Sequence, residues 1–394
     1  MSQSPTPLEQ PCAPHTAQRS ISIGLPSASV AGERRFPLTP EGAAMLVGRG
    51  FDVKIERGAA EVIHFDDEAY RRAGAQIVPR PEAMACDMVL HLPAISAADA
   101  RMLRRGSVLL TLLHIERQSP EALRVLLERN TIAVALDLIA DDSGHRPFAD
   151  ALSEVDGRAA IAIASSLLAD PVHGKGILLG GVSGVVPCEV TIIGSGIAAR
   201  SAALSACGLG ATVKMFDNDV YGLRDAGMQL SRHAVITSAF HPRVFASALR
   251  SADIVVATPT KYPLEIDVEM VDEMKRGVIA FDLTGREDRC VFPSLARVDL
   301  AVAADADRRP NSRIAACYVN AGSAVPRTAA MTLTTTLMTL LDDIHLFEGI
   351  ANALKFNQGL SRAAYTFLGK PVNADVARIL GVRPIDINLF VQFN

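Results

Sequence analysis

From Ile21 onward, short apolar runs alternate with segments of helical period, and this alternation constrains the fold more than any other feature of the chain. "ISIGLP", "FDVKIE", "DMVLHLP", "SVLLTLLH" and "TIAVALDL" read as strands. "TPEGAAMLVGRG" reads as a helix, with Thr39 as N-cap, Pro40 in the first turn and Gly50 beyond the end. "FDDEAYRRAGA" and "SPEALRVLLERN" are further helices, the second capped by Ser119. Apolar strands separated by helices call for a parallel sheet covered on both faces, because parallel neighbours need a crossover between them.

The pattern changes near residues 151–170, where "ALSEVDGRAAIAIASSLLAD" reads as one long helix rich in small residues. A glycine-rich segment follows, "HGKGILLGGVSGVVP", and together they read as a crossing between two domains. A second series begins at Val190, with "VTIIG", "TVKMFD", "DIVVATP", "VIAFDL" and "LAVAA" as its strands. After "NAGSAVPRT" the strands are expected to stop. "TAAMTLTTTLMTLLDDIHL" reads as helix, and the remainder to Asn394 as mostly helix and loop. Such a late segment packs back on the first domain and makes it discontinuous.

A chain of 394 residues has room for two domains or three. Residues 1–19 are polar, rich in proline and without the apolar core of a signal peptide, so 1–20 is read as a disordered tail. The most apolar stretches meet a charge or glycine well before 18 residues, so no membrane span is expected. Net charge is −4 with no lysine-rich block, which argues against nucleic acid as a partner. The six cysteines are scattered without a C-x-x-C pair. That pattern points to reduced thiols in a cytoplasm, with no metal site and no disulfide frame.

The stretch "VTIIGSGIAARSAA" carries the most chemistry. A strand precedes two close glycines, a small-residue helix follows, and the next strand ends in Asp217, 23 residues after Gly194. A dinucleotide fingerprint needs this arrangement. Gly194 permits the tight turn, Gly196 lets the backbone approach a pyrophosphate on the helix N-terminus, and Ala199 lets helix and strand pack closely. Asp217 is placed to accept hydrogen bonds from the adenosine ribose. With Ser195 and Ile197 in the loop and Thr258 after "DIVVA", these are the candidate cofactor-binding residues. The carboxylate of Asp217 repels a 2′-phosphate and no arginine follows it at once, so NAD is expected rather than NADP.

The chain resembles the alanine dehydrogenase and nicotinamide-nucleotide transhydrogenase alpha-subunit family, which takes in the saccharopine dehydrogenase-like relatives. The likeness covers residues 21 to about 385 and rests on "GERRFPLTPEG", "RGFDVKIERGAA", "LLTLLH", "LSEVDGRAA", "GKGILLGGVSGVVPCEVTIIGSGIAAR" and "VNAGSAVPRTAA". What it implies is an α/β chain of two Rossmann-like domains with parallel sheets and an active site in the cleft between them. The substrate domain would be 21–150 with 325–394, the nucleotide domain 151–324. A homo-oligomer, dimer or hexamer, is implied as well. Arg35 falls where the family places its substrate-carboxylate arginine; guanidinium grips carboxylate in bidentate fashion, the competing reading being a surface ion pair with Glu33. His114, ending "SVLLTLL", falls at the family's general acid/base histidine.

Two departures stand out. His91, Leu92 and Pro93 occupy the place of the family's substrate-binding lysine, and His91 could partly replace that cation. After "VIAFDL", the acid and two glycines of alanine dehydrogenases are read here as Arg286, Asp288 and Arg289 in "GREDRC". Arginine cannot act as a base, so the swap suggests a substrate with an extra acidic group. The expected activity is hydride transfer between NAD(H) and a 2-oxo acid or imine, or the corresponding amino acid, and not plain alanine. The alternatives are a catalytically silent NAD-binding sensor or partner subunit, and a transhydrogenase subunit, which needs a membrane partner.

Overall fold

The computed structural model describes residues 20–28, 33–262, 264, 266–285, 290–302, 315–346 and 349–391. Eight strands form the first sheet: β1 (Ser22–Leu25), β2 (Asp52–Glu56), β3 (Gln76–Val78), β4 (Met88–Leu90), β5 (Val108–Thr111), β6 (Ile132–Ala135), β14 (Ala364–Phe367) and β15 (Lys370–Pro371). Seven form the second: β7 (Glu189–Ile193), β8 (Thr212–Phe216), β9 (Val235–Ser238), β10 (Ile254–Ala257), β11 (Ile279–Asp282), β12 (Ala296–Asp299) and β13 (Ala316–Val319).

The first sheet runs β15-β14-β6-β5-β4-β1-β2-β3, and the second β12-β13-β11-β10-β7-β8-β9. In each, the strand order reverses beside the first strand of the series, between β1 and β4 and between β7 and β10. Such a reversal opens a crevice at the carboxyl ends of the strands, where α/β sheets take their ligands. The second sheet is parallel throughout. The expectation of two parallel sheets fails at the edge of the first, because β14 pairs antiparallel with β6 and β15 antiparallel with β14. The segment read as helix and loop therefore supplies two strands. Leu368 and Gly369 both have positive φ, the conformation of a two-residue hairpin turn, and a hairpin needs no crossover helix.

Three further readings shift. β3, β9 and β13 were not anticipated; β3 and β9 are edge strands, partly exposed, and lack the continuous apolar run of a buried parallel strand. The strand assigned to "LAVAA" is instead Ala296–Asp299, and Leu300–Val302 form the turn after it. The cysteines are scattered in sequence only: Cys290 and Cys317 touch, with sulfurs 3.6 Å apart, and both are free thiols.

One core joins Ile23, Leu25, Leu46 and Val53 to Leu333, Leu337, Leu341 and Leu360, so the chain beyond 325 packs on the first sheet. A second core gathers Val190, Ile192, Ala202, Val213, Val256 and Phe281 around the second sheet. The helix Pro147–Ala169 serves both, giving Phe148 and Leu152 to the first core and Ala160, Ile161, Ala164 and Leu168 to the second. Among the described residues, no helix is long and apolar enough to cross a membrane, and no group of three or more histidine, cysteine or carboxylate side chains could hold a metal ion.

Candidate active site

The two sheets enclose a cavity of about 300 Å3 at the carboxyl ends of their strands. Glu33, Arg35, Leu112, His114, Arg117 and Asp137 line it from the first sheet's side. Asp282 at the end of β11, Leu283 and Gly285 beyond it, Arg297 on β12, and Val319, Asn320 and Ser323 around the end of β13 line it from the second. Leu152, Ser153 and Asp156 of the bridging helix close the remaining wall.

Arg35 and His114 meet here, as their positions imply. Arg35 is paired with Glu33, but not on the surface: the two side chains are 14% and 3% exposed. Arg35 donates from Nε to Oε1 at 2.8 Å and from Nη2 to Oε2 at 2.6 Å. The bidentate fork is thus already engaged, and only Nη1 is without a partner among the described residues. Burial raises the carboxyl pKa of Glu33, but the charge and hydrogen bonds of Arg35 more than reverse this and leave it lowered.

His114 does not end a strand. β5 stops at Thr111, and the N–H of Leu113 donates to Asp137 Oδ1 at 2.8 Å instead of to a neighbouring strand. The chain then turns, with His114 in the left-handed region at φ 40°. That conformation costs a non-glycine residue about 1–2 kcal/mol and is found often at functional sites. Nε2 is buried without a hydrogen-bond partner. Burial first, and then the charge of Arg35, push its pKa down from 6.5 to about 4. A pKa this low favours the neutral imidazole near pH 7.

His91 does not reach the cavity lining. It is 2% exposed, and its Nδ1 lies 3.0 Å from the carbonyl of Pro93. Burial and the charge of Arg80 push its pKa down to about 4, so it supplies no cation in place of lysine. Arg286, with Asp288 and Arg289, lies outside the described residues. The same strand end does hold a carboxylate, Asp282, which lines the cavity. Asp282 Oδ1 accepts from the N–H and hydroxyl of Thr284, and Oδ2 from the N–H of Val291.

In the second sheet, the glycine loop sits at the β7–β10 switch point. Gly194 has φ 108°, and a Cβ there would lie 2.1 Å from Thr258 Oγ1. Gly196 is different: its nearest neighbour to such a Cβ is Pro259 O at 4.0 Å, so the space before it is open. It caps the helix Ile197–Gly208, whose first N–H groups have no partner inside the helix. Ala199 is fully buried against the sheet. This cradle fits a pyrophosphate. Asp217 is buried; its Oδ2 accepts from Ser195 Oγ at 2.7 Å and its Oδ1 from the N–H of Asp219 at 3.0 Å. Each carboxylate oxygen keeps a second lone pair for a ribose hydroxyl. Thr258 donates its hydroxyl to Ile193 O at 2.8 Å, so it braces the loop.

Asp137, Asp156, Asp282 and Asn320 were missed in the sequence. "LSEVDGRAA" and "VNAGSAVPRTAA" contain two of them, but a single carboxylate on a helix reads as a solvated face until the tertiary fold encloses it.

Residues 24–157 match the alanine dehydrogenase/PNT N-terminal domain, and residues 160–374 the alanine dehydrogenase/PNT C-terminal domain. The chain is 32% identical to the alanine dehydrogenase of Bacillus subtilis (strain 168) over 365 residues, covering 91% of this chain and 94% of that one. It is 30% identical to an alanine dehydrogenase of Mycobacterium tuberculosis (strain CDC 1551 / Oshkosh), covering 92% and 97%. A solved L-alanine dehydrogenase shares the fold with a TM-score of 0.79 at 24% identity, over 92% of this chain and 99% of that one. A transhydrogenase from Sinorhizobium meliloti does so with 0.70 at 20% identity, over 89% and 99%.

Proposed function

The chain belongs to the alanine dehydrogenase/PNT family, and on that premise we propose that it is an NAD(H)-dependent dehydrogenase acting on a 2-oxo acid or imine and the corresponding amino acid. In this reading residues 21–150 and 325–394 form the substrate domain, 151–324 the nucleotide domain, and the subunit works as a homo-oligomer. The observation that carries the proposal is the cavity itself, where Arg35 and His114 face the strand ends of the sheet that bears the glycine loop. NADH, when bound, supplies hydride to the substrate carbon. Arg35 Nη1 anchors the substrate carboxylate by a charge-assisted hydrogen bond. His114 Nε2 takes a proton from the substrate nitrogen in oxidation and returns it in reduction. Asp137 holds the Leu113 backbone and so fixes where His114 turns.

NADH is expected to bind more tightly than NADPH, because Asp217 stands where a 2′-phosphate would have to sit. Asp217→Ala should weaken NADH binding and narrow the gap. Calorimetric titration checks both, and tighter NADPH binding by the unmodified protein would overturn the assignment.

Plain alanine is not the proposed substrate. The place of the family's lysine is taken by "HLP", and His91 is buried, neutral and turned onto Pro93 O. NADH oxidation with ammonium should therefore be slower with pyruvate than with the best member of a panel of longer and dicarboxylic 2-oxo acids. If pyruvate proves best, another group does the lysine's work. The same observation favours one other reading, a nucleotide-binding protein without turnover, and complete absence of NADH oxidation across the panel, with NADH still bound, would select it.

A further inference from the structure

Among the described residues four carboxylates line the cavity, and two of them, Glu33 and Asp282, have both oxygens committed to the protein's own groups. Glu33 is closed on Arg35. Asp137 Oδ1 accepts the N–H of Leu113 beneath the turn that carries His114. Asp282 has both oxygens engaged by Thr284 and Val291. Asp156 differs. Its Oδ1 accepts one hydrogen bond, from the N–H of Gly322 at 2.8 Å, and its Oδ2 has no partner among the described residues. The fold fixes this carboxylate from two sides. The bridging helix carries it, and the turn after β13 is fitted around it so closely that a Cβ at Gly322 would lie 2.2 Å from Oδ1.

Among the polar atoms around the cavity that lack a protein partner in the described residues are Arg35 Nη1, a donor, His114 Nε2, and Asp156 Oδ2, an acceptor. An α-amino acid offers the complement, an anionic carboxylate and a nitrogen with N–H donors on adjacent atoms. We infer that Asp156 receives the amino nitrogen of the substrate, or the incoming ammonium or amine, opposite the Arg35 that takes the carboxylate. Arg35 and Asp156 line the same cavity, one from the first sheet's side and the other from the bridging helix. Burial raises the carboxyl pKa of Asp156, with Arg35 and the Gly322 N–H pulling it back. A nearby cationic nitrogen would favour its ionised form further.

The assignment rests on the dehydrogenase reading, and the test separates the two. NADH oxidation is measured with ammonium chloride and the best 2-oxo acid of the panel, varying each substrate in turn. Asp156→Asn keeps the size and an oxygen for Gly322 but loses the charge. Asp156→Ala, a good helix former, covers the case in which asparagine does not fold. Either variant should raise the KM for ammonium by about 10- to 100-fold, the loss of a hydrogen bond to a charged group. The KM for the 2-oxo acid and calorimetric NADH binding should stay unchanged. An unmoved ammonium KM, or equal rises for both substrates, overturns the role of Asp156 alone. No turnover by the unmodified protein with any 2-oxo acid overturns the dehydrogenase reading, and this assignment with it.

Discussion

His114→Ala is expected to lower kcat by about 10²–10⁴-fold, the usual contribution of a positioned acid or base, with NADH affinity unchanged because the glycine loop belongs to the other sheet. The side chain sits in the cavity, its Nε2 lacks a protein partner, and its backbone is held in a strained conformation by the Leu113–Asp137 bond. Steady-state kinetics and calorimetry check the two halves, after a melt shows that the variant is folded. A kcat within a few-fold of the unmodified enzyme would make His114 structural. The pH profile has a sign as well. Amino-acid oxidation needs the neutral imidazole as proton acceptor, and burial together with Arg35 pushes the pKa down to about 4. Between pH 5 and 7 the free enzyme is therefore already in the accepting form. The acid limb of kcat/KM for oxidation should fall near pH 4 and not near 6.5. A limb at 6.5 or above would show that the cavity does not depress this group.

The second large effect is on stability. Arg35→Ala leaves the Glu33 carboxylate 3% exposed and without its partner. Breaking one side of a buried ion pair costs about 3–5 kcal/mol, because a desolvated charge remains uncompensated. The same variant should raise the KM for the 2-oxo acid through loss of Nη1. Removing both partners, Glu33→Ala with Arg35→Ala, should restore part of the stability without restoring the KM. Denaturant melts and kinetics on the single and double variants check this. A single variant as stable as the unmodified protein would mean that Glu33 escapes to water or takes up a proton without penalty.

The nucleotide-side loop was legible because three local signals agree there: an apolar strand, two glycines at fixed spacing and a helix of small residues ending near a second strand. Arg35 and His114 were legible by position, but not their condition. That Arg35 meets Glu33 could be read from two charges two residues apart. That the pair is buried, and that the imidazole is neutral, depends on walls supplied by residues more than 100 positions away. Asp156 is the clearest case of what was hidden, since its partner Gly322 lies 166 residues further along. β14 and β15 escaped for a different reason. Their turn is Leu368–Gly369, and leucine is a poor signal for a positive φ, so the hairpin looked like the end of a helix.

The helix Pro147–Ala169 sets how the molecule can move. Its 23 residues are unbroken, about 34 Å end to end, with one end embedded in each core. A continuous helix is a beam and cannot act as a hinge, because bending it would break its own ladder of hydrogen bonds. Any opening of the cleft must then swing about one of its ends, with the return strand-to-helix connection near Val325 as the second pivot. Asp156 lies midway along the helix and is tied by Gly322 to the second sheet's side, so it stays with that side. Arg35, on a loop of the first sheet, rides on the moving arm. The amine end of a substrate would meet a fixed post, while the carboxylate end is carried in and out.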